Sequence, residues 1–322
     1  MKSWIVSKPG ELSSAVAEDA ALPQDAARVR LARAAVSASD IAAFEGKTRK
    51  LPVIPCRIAM GLVGESNDIT LKIGQRVMLS PYRHTEKGTL IKGVDCDGYL
   101  SDFVTCPRSE IYVMPEGISD ESVVFVEDIA RAVNALEKLD ISKTQYILLS
   151  GCTVLNFIIA QLAIYYQAIP IIVDRRREML ELAEDMGVYF TANPDEEDLF
   201  DKVKELTSGA MCDCLAIDAD FFPEAGKLLS CLKPGGKAAF CGTGTIPTKA
   251  SAPIAEIVAK RLEVFGIQSG DGELETAINM LATEIVKVDK LVGKLQEFKD
   301  APEVFKQLVE QPTPGIKTVI RF

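Results

Sequence analysis

The sequence predicts an α/β fold in two parts, a β-rich N-terminal part and a doubly wound parallel sheet, and three observations support this prediction. Up to Pro115, short apolar or alternating runs are separated by Gly, Pro and Asn/Asp turns. After Gly117, fully apolar runs alternate with segments of helical spacing, which is typical of a parallel sheet with helices on both faces. The length of 322 residues allows two hydrophobic cores of ordinary size.

The strands predicted for the N-terminal part are short, and the long helices that connect parallel strands do not separate them. These strands cover residues 1–6, 27–34, 76–79, 100–105 and 111–114. The tail that begins near Lys287 is predicted to contain one amphipathic helix, 301–309, and a last strand, 317–322.

The second part alternates apolar strands with helices along its whole length. The predicted strands are 146–149, 169–173, 212–217, 237–241 and 262–267, and the predicted helices are 122–139, 154–166, 176–186 and 223–232. With one further strand that the pattern does not locate, we expect about six strands between Gln145 and Gln268. The turn Pro234-Gly235-Gly236 is predicted to precede the strand at 237–241.

The composition is that of a globular protein, with 48% hydrophobic and 25% charged residues. The net charge is −10 and the only dense basic cluster is the arginine run 175–177, so no nucleic-acid partner is expected. The longest apolar stretch, 154–166, is too short to cross a bilayer, so no membrane partner is expected. The first residues have the pattern of a strand and not of a secretory signal, which predicts a cytoplasmic protein.

Eight cysteines are scattered along the chain without a secretory signal, which indicates reduced thiols. In a strand, Cys212 and Cys214 point the same way, so they form either part of a metal site or, as we favour, two buried core thiols. The single histidine, His84, excludes any metal site with two histidines. We interpret His84 as a surface residue, and Cys96 and Asp97 as residues without a catalytic role.

A degenerate dinucleotide-binding turn connects the strand at 146–149 to the helix that follows it. The usual pattern is G-x-G-x-x-G, but only Gly151 is present, with Thr153 and Asn156 at the second and third glycine positions. A side chain at Thr153 stands where a pyrophosphate would approach the backbone. We nevertheless expect Gly151 and Thr153, together with Val154 and Leu155, to contact a dinucleotide.

A second set of candidate cofactor residues follows the later strands. Asp174 ends a strand after Gly151 and is either the acceptor for the ribose hydroxyls or a solvated loop residue. It favours NAD(H), whereas Arg175 and its neighbour Arg176 leave NADP(H) as the alternative because guanidinium groups bind phosphate. The Gly242-Thr243 segment ends another strand, where glycine lets a ligand lie close to the backbone, although a simple turn is an equal explanation.

The order of these elements resembles the medium-chain dehydrogenase/reductase superfamily, which includes the zinc-type alcohol and polyol dehydrogenases. The resemblance extends over nearly the whole chain. It rests on residues 34–40, 45–46, 51–55, 61–64, 72–77, 161–163, 174–175, 180–187 and 232–236. Shorter matches at 78–81, 85–87, 97–99, 102–104 and 317–319 are similar to the ribulose-5-phosphate reductase and polyol dehydrogenase branch.

This resemblance implies two domains with the active site in the cleft between them. A GroES-like β-barrel domain would comprise residues 1–118 and 287–322, and a Rossmann dinucleotide-binding domain residues 119–286. Relatives commonly pair through the strand that corresponds to 262–268, which implies a homodimer.

The resemblance also locates the positions at which relatives hold catalytic zinc. Those positions carry Ser37, Arg57, Ile58 and, later in the chain, Glu127. Zinc needs three or four converging soft or borderline ligands, and a serine and one carboxylate do not supply them. The four cysteines of the structural-zinc lobe are also absent between Ser80 and Gly98. We therefore predict no zinc at either site.

Two hypotheses for function follow. In the first, the chain is a zinc-independent NAD(P)(H)-dependent oxidoreductase for a small polar carbonyl or alcohol substrate, and an anionic group on that substrate would suit Arg57. Arg57 takes over part of the work of zinc or pairs with Glu127 without a catalytic role. Ser39 stands where the family keeps a proton-relay hydroxyl, although it could also be a helix cap. In the second, the chain is a non-catalytic relative, a nucleotide sensor or partner subunit with a degenerate site.

Overall fold

The computed structural model of the chain describes residues 1–17, 21–47, 51–242, 253–313 and 315–322. The chain divides into two compact units: unit 1 is Met1–Glu127 together with Val288–Phe322, and unit 2 is Asp128–Lys287. The sequence-based boundary after residue 118 therefore lies inside unit 1. Asp120 and Glu121 lie just past that boundary and pair with Arg76 and Arg33, on strands of unit 1, at N–O distances of 2.7 Å.

The described residues form the following strands and helices. The strands are β1 (Lys2–Lys8), β2 (Glu11–Val16), β3 (Ala26–Val36), β4 (Ala59–Ser66), β5 (Arg76–Leu79), β6 (Tyr82–Thr85), β7 (Gly88–Ile91), β8 (Phe103–Pro107), β9 (Ile111–Val113), β10 (Tyr146–Ser150), β11 (Ile169–Val173), β12 (Phe190–Ala192), β13 (Cys212–Asp218), β14 (Leu232–Cys241), β15 (Glu263–Ile267), β16 (Gln296–Glu297) and β17 (Thr318–Arg321). The helices are α1 (Ala38–Phe44), α2 (Asp120–Val123), α3 (Val126–Leu139), α4 (Val154–Tyr165), α5 (Arg177–Asp185), α6 (Leu199–Leu206), α7 (Ala225–Ser230), α8 (Ile254–Lys260), α9 (Leu274–Ala282) and α10 (Ala301–Glu310). Short 3-10 turns cover Arg108–Glu110, Ala219–Glu224, Asp289–Leu291 and Phe298–Asp300.

Unit 1 is built on a seven-stranded sheet in the order β16-β17-β3-β4-β5-β9, with β8 also paired to β3. All pairs are antiparallel except β16 with β17, so the prediction of a β-rich, mainly antiparallel part is confirmed. The C-terminal strand β17 pairs with β3 from residue Thr318 against Val36, which makes the chain's last residues part of this sheet.

The core of unit 1 lies against the long strand β3, whose burial alternates with the period of a strand. Val29, Leu31 and Val77 are buried at 2% exposure or less. The helices α1 and α10 cover this core, and the rings of Phe44 and Phe305 meet at 5.7 Å between centroids. The tail helix and the final strand are confirmed close to their predicted bounds.

Unit 2 contains a six-stranded parallel sheet in the order β12-β11-β10-β13-β14-β15. This is a doubly wound order that reverses between β10 and β13, and ligands of such sheets bind beyond the carboxyl ends of the strands at that point. The prediction of about six strands and a doubly wound sheet is confirmed. The strand that the pattern did not locate is β12, which has only three residues.

One predicted turn was wrong in its position. The Pro234-Gly235-Gly236 segment does not precede β14 but lies inside it, because β14 begins at Leu232. Its pairing with β13 shifts between Cys212 and Cys214, so the extra residues bulge out of the ladder. In the part of the chain that the structure describes, every helix is too short or too polar to span a lipid bilayer.

Candidate functional site

A buried ion pair in unit 1 joins Arg57 to Glu127. The Nη2 atom of Arg57 lies 2.7 Å from Oε2 of Glu127, and the two side chains are 3% and 1% exposed. The hydroxyl of Tyr82 donates to the other carboxylate oxygen, Oε1, at 3.3 Å. Two residues that the resemblance placed in one pocket are therefore in direct contact, and a tyrosine that the sequence analysis did not single out joins them.

The Arg57 guanidinium is only partly satisfied by this arrangement. Its Nε and Nη1 atoms are buried and have no hydrogen-bond partner. Leaving buried N–H donors of a cation unpaired is costly, so such atoms in a folded protein need an explanation. An oxygen-bearing ligand that accepts from Nε and Nη1 would supply one, because a guanidinium presents its donors in a fixed fork.

The backbone around Cys56 fixes where Arg57 points. Cys56 has φ 65°, a left-handed conformation that is unusual for a residue other than glycine. Its N–H donates to Oδ1 of Asp40 at 2.7 Å, and its carbonyl accepts from the N–H of Tyr99 at 2.6 Å. Gly98 is required beside it, since a Cβ there would lie 2.4 Å from the Cys56 oxygen. The Arg57 backbone is therefore anchored from two separate segments.

The start of α1 carries the remaining polar residues of this cluster. Ser37 is the N-cap, and its N–H and hydroxyl donate to Oδ2 of Asp40 at 2.8 and 2.6 Å. Ser39 is not the cap but lies in the first turn, buried, with its hydroxyl 2.8 Å from that of Ser37. Burial raises the pKa of Asp40, although the hydrogen bonds from Ser37 and Cys56 and the charge of Arg57 act against the rise.

The residues at the zinc positions of relatives do not fit a zinc ion. Among the described residues, no three His, Cys, Asp or Glu side chains are arranged to hold a metal. Glu127 is the single carboxylate at these positions, and the Arg57 cation already contacts it at 2.7 Å. A second cation at that carboxylate would meet a fixed positive charge, and Ser37 and Ile58 add no soft ligand.

The turn after β10 in unit 2 is held together by its own side chains. Gly151 has φ 82°, and its N–H donates to the carbonyl of Val173 at 2.7 Å. Thr153 caps α4 by accepting from the N–H of Asn156 at 3.2 Å, and its hydroxyl donates to Asp218 at 3.1 Å. The amide of Asn156 donates to the carbonyls of Ser150 and Gly151 at 2.7 and 2.9 Å. The residues at the second and third glycine positions thus stabilise the turn.

Asp174 is buried at 3% exposure, so its interpretation as a solvated loop residue is wrong. The carboxylate accepts from the N–H of Cys152 at 2.7 Å and from the N–H, Nε and Nη2 of Arg176 at 2.8, 2.9 and 2.6 Å. Burial would raise the pKa of Asp174, but the hydrogen bonds from Arg176 and Cys152 outweigh it and lower the pKa. Arg175 points to Asp195 and Glu224 instead.

Phe221 lies directly on the glycine of the turn. A Cβ on Gly151 would be 2.1 Å from two carbons of the Phe221 ring, so the ring fills the space beside the backbone. A ligand that approached the Gly151 backbone from this side would therefore meet the Phe221 ring first. Sequence analysis missed this residue, but a signal existed, because Phe221 lies in the 3-10 turn that follows β13, the strand next to β10.

The other predicted site residues have varied environments. Val154 and Leu155 are buried in the first turn of α4, at 8% and 3% exposure. The N–H of Gly242 donates to the carbonyl of Ile267 at 3.0 Å, which continues the pairing of β14 with β15. Thr243 lies outside the described residues.

The thiols and the histidine behave as the sequence indicated. Cys212 and Cys214 are buried, and burial is the main cause that raises the pKa of both, that of Cys214 to about 12. The interpretation of these residues as core thiols is confirmed. His84 is exposed, and its Nδ1 lies 3.1 Å from the hydroxyl of Thr89.

Comparison with known proteins gives two family matches, one in each half of the chain. Residues 23–116 match the alcohol dehydrogenase GroES-like domain, and residues 157–283 match the zinc-binding dehydrogenase domain. The second match begins just after Asn156, the last residue of the degenerate turn.

Individual relatives align along most of the chain. An uncharacterized zinc-type alcohol dehydrogenase-like protein of Haemophilus influenzae is 25% identical over 305 residues, which cover 88% of this chain and 87% of the relative. D-xylulose reductase A of Aspergillus oryzae is 23% identical over 271 residues, which cover 78% of this chain and 75% of the relative. The starvation-sensing protein RspB of Escherichia coli is 23% identical, with 95% and 96% covered.

Solved structures share the fold at low identity. The short chain alcohol dehydrogenase rspB of Escherichia coli CFT073, complexed with NADH, superimposes with a TM-score of 0.88 at 20% identity and covers 100% of this chain and 99% of that one. 2R,3R-butanediol dehydrogenase from Bacillus subtilis has a TM-score of 0.89 at 17% identity, with 100% and 99% covered. With a GroES-like domain, a Rossmann sheet and relatives along its length, the chain belongs to the medium-chain dehydrogenase/reductase superfamily of zinc-type alcohol dehydrogenase-like proteins.

Proposed function

We propose that the chain is a zinc-independent oxidoreductase that uses a nicotinamide dinucleotide to interconvert a small polar carbonyl compound and its alcohol. The observation that carries this proposal is the Arg57–Glu127 pair, in which a buried guanidinium keeps two donors free. It replaces a metal cation with a fixed organic one at the position where relatives polarise the substrate oxygen. The NADH of the rspB structure and the NADP bound to a Sinorhizobium meliloti dehydrogenase of the same fold support the choice of cofactor.

We assign the cofactor to the turn of unit 2, held by Gly151, Thr153 and the first turn of α4, with Gly242 at a neighbouring strand end. The bound nicotinamide would supply the hydride acceptor or donor. We assign NAD(H), because Asp174 is ionised at the end of β11, with NADP(H) as the alternative. A ribose hydroxyl would have to share Asp174 with Arg176, which occupies both carboxylate oxygens.

The substrate role falls to Arg57, whose Nε and Nη1 would donate to a carbonyl, carboxylate or phosphate oxygen. Glu127 keeps the guanidinium in place, because the ion pair at Nη2 restricts the rotation of this planar group. Ser39 is the proposed proton-relay hydroxyl, and its contact with the Ser37 hydroxyl gives it a partner for the proton.

Ligand-dependent thermal stability tests this proposal. NADH or NADPH at about 100 times its Kd should stabilise the folded chain by about 2.7 kcal/mol, and elemental analysis should find well under one zinc per chain. Arg57→Lys should then lower kcat/KM for the carbonyl substrate without changing the NADH shift. An Arg57→Lys variant with full activity would contradict the proposed role of the Nε and Nη1 donors of the guanidinium.

A second candidate function is a non-catalytic relative, a nucleotide sensor or partner subunit. The Phe221 ring covers Gly151, and Arg176 occupies both oxygens of the Asp174 carboxylate. These contacts favour the second candidate, because they occupy groups that a dinucleotide would contact. Phe221→Ala separates the two candidates. If the chain is an oxidoreductase, we expect the variant to bind NADH more tightly and to retain turnover. If neither the variant nor the unmodified chain binds NADH or NADPH, the chain belongs to the second class.

We also propose a homodimer that forms through the free edge of β15. This strand pairs with β14 on one side only within the described part of the chain, and Val264 on it is 42% exposed. An exposed edge strand with an apolar side chain is a pairing surface. The eight cysteines are buried and form no disulfide among the described residues, which suits a reducing compartment and supports placing the protein in the cytoplasm.

A further inference from the structure

A cavity of about 480 Å³ opens in unit 1, and none of Ser37, Asp40, Arg57 or Glu127 lines it. Its walls include the basic residues Arg28, Arg83 and Lys92, the acidic residue Asp97, and an apolar surface that contains Ile54 and Phe103. A volume of this size holds a small metabolite and not only a single ion. The cavity therefore differs from the Arg57 cluster in both its lining and its charge.

Lys92 is the residue that makes the cavity a candidate site. Its side chain is 2% exposed, and among the described residues the ion-pair partner of its Nζ is Glu110, at 2.8 Å. The ammonium also lies 5.4 Å from the centroid of the Tyr99 ring. This is a cation–π contact and not a hydrogen bond to an oxygen acceptor. An ammonium has three donors, so a buried one with a single oxygen acceptor has capacity for a further anionic oxygen.

Two cations share one buried carboxylate at this wall. Arg83 Nε donates to the other oxygen of the same Glu110 carboxylate at 2.8 Å, so one carboxylate serves two cations. Burial would raise the pKa of Glu110, but hydrogen bonds from Arg83 and Lys92 outweigh it and lower the pKa. Asp97, the acidic lining residue, accepts from the N–H of Ile54 at 3.1 Å. Asp97 and Glu110 balance the charges of Lys92 and Arg83, so the case for an anionic oxygen rests on the N–H donors that these two cations do not use on Glu110.

We infer that this cavity binds a small organic phosphate monoester, with its phosphate at Lys92 and Arg83 and its carbon body against Ile54 and Phe103. Lysine and arginine are the side chains that hold phosphate oxygens by charge-assisted hydrogen bonds. The apolar wall and the volume argue for an organic body, because inorganic phosphate alone would leave most of the cavity unfilled.

Titration calorimetry of the full chain without dinucleotide tests this inference. Glycerol 3-phosphate is the probe, with inorganic phosphate and glycerol as the comparison ligands. We expect glycerol 3-phosphate to bind, inorganic phosphate to bind more weakly and glycerol not to bind. Lys92→Met and Arg83→Met should each raise the Kd by on the order of tenfold, which corresponds to about 1.4 kcal/mol for one charge-assisted contact.

Lys87→Met is the matched control, because Lys87 lies on the exposed turn between β6 and β7 and does not line the cavity. Its Kd should equal that of the unmodified chain. The Arg83 side chain is 42% exposed, so Arg83→Met keeps the test valid if Lys92→Met fails to fold. Absence of binding up to about 10 mM, or binding that survives both cavity variants and is lost in Arg57→Met, overturns the inference. Because no dinucleotide is present, either result leaves the proposed oxidoreductase function untouched.

Discussion

At the scale of single residues, we propose that Arg57, paired with Glu127, takes the place of a metal cation without supplying the same chemistry. A metal ion accepts electron pairs, whereas a guanidinium donates hydrogen bonds, so Arg57 can orient a substrate oxygen but cannot activate a bound water. The pair is buried, so each partner depends on the other for charge compensation. The hydroxyl of Tyr82 also contacts the Glu127 carboxylate, but it is uncharged. The proposed function therefore gives Arg57 both a structural and a substrate-binding role.

Breaking this pair should be far more costly than breaking an exposed one. Arg57→Met leaves Glu127 buried without its counter-ion, and we expect a loss of about 3–5 kcal/mol in the free energy of unfolding. The double variant Arg57→Met/Glu127→Gln should recover most of that loss, because no buried charge remains. Urea unfolding measures both, with the exposed pair Arg177–Glu196 as the comparison. Arg177→Met should cost less than about 1 kcal/mol, and an equal cost at both pairs would contradict the buried-charge argument.

Asp174 should make the stability of unit 2 sensitive to acid. The fold lowers the pKa of this carboxyl below its ordinary value of 3.8, through the hydrogen bonds from Arg176 and Cys152 that outweigh burial. The ionised form is therefore favoured by folding, and its contribution is present above pH 3.8 and lost as the pH falls through the lower folded-state pKa. The stability difference between the unmodified chain and Asp174→Asn should stay constant from neutral pH to about pH 5 and shrink below it. Urea unfolding at a series of pH values measures this, and a difference that grows on acidification would refute the assignment.

At the scale of elements, glycine positions in β4 show why close strand contacts are specified by single residues. A Cβ on Gly61 would lie 2.3 Å from the carbonyl oxygen of Arg30 in β3, next to the register shift between Leu31 and Arg33. In the same strand, a Cβ on Gly64 would meet the Arg28 oxygen at 3.5 Å, an ordinary contact. The two glycines therefore form a matched pair: both lie in β4, but only Gly61 lacks room for a Cβ.

Gly61→Ala should therefore destabilise unit 1, whereas Gly64→Ala should not. We expect a loss of about 1–3 kcal/mol for Gly61→Ala, because the clash is with backbone that cannot rotate away. For Gly64→Ala the change should remain within about 0.5 kcal/mol. Thermal or urea unfolding monitored by circular dichroism checks both, and equal stabilities for the two variants would show that β3 and β4 separate easily.

The sequence predicted an element well where the apolar pattern of its own residues defines it. It predicted an element poorly where pairing with an adjacent strand defines it. The strand Ile169–Val173 was predicted to the residue because all five positions are apolar and turns bound it. The three-residue strand β12 and the Pro-Gly-Gly segment inside β14 were missed, because pairing with β11 and β13 creates them. The same limit applies at the site, where the contact of Phe221 with Gly151 and the free donors of Arg57 depend on three-dimensional distances.

At the scale of the whole molecule, the edge of β15 should decide the oligomeric state. Val264→Lys places a charge on the edge strand, and we expect it to convert a dimer into a monomer because a lysine on an edge strand opposes edge-to-edge pairing. Size-exclusion chromatography with light scattering measures the mass. Val309→Lys on α10 is the control, since Val309 is similarly exposed at 38% but lies in unit 1. A dimer that persists in Val264→Lys would place the interface elsewhere.

The burial of all eight cysteines has a practical consequence. Thiol reagents attack thiolates at the surface, and burial raises the pKa of Cys106 and Cys241 to about 12, so a maleimide dye should leave both unlabelled, whereas Cys96 lines the cavity of unit 1. With Cys96 replaced by serine, one cysteine introduced into an exposed loop would then be a unique attachment point, and fluorescence from that dye could follow ligand-induced motion.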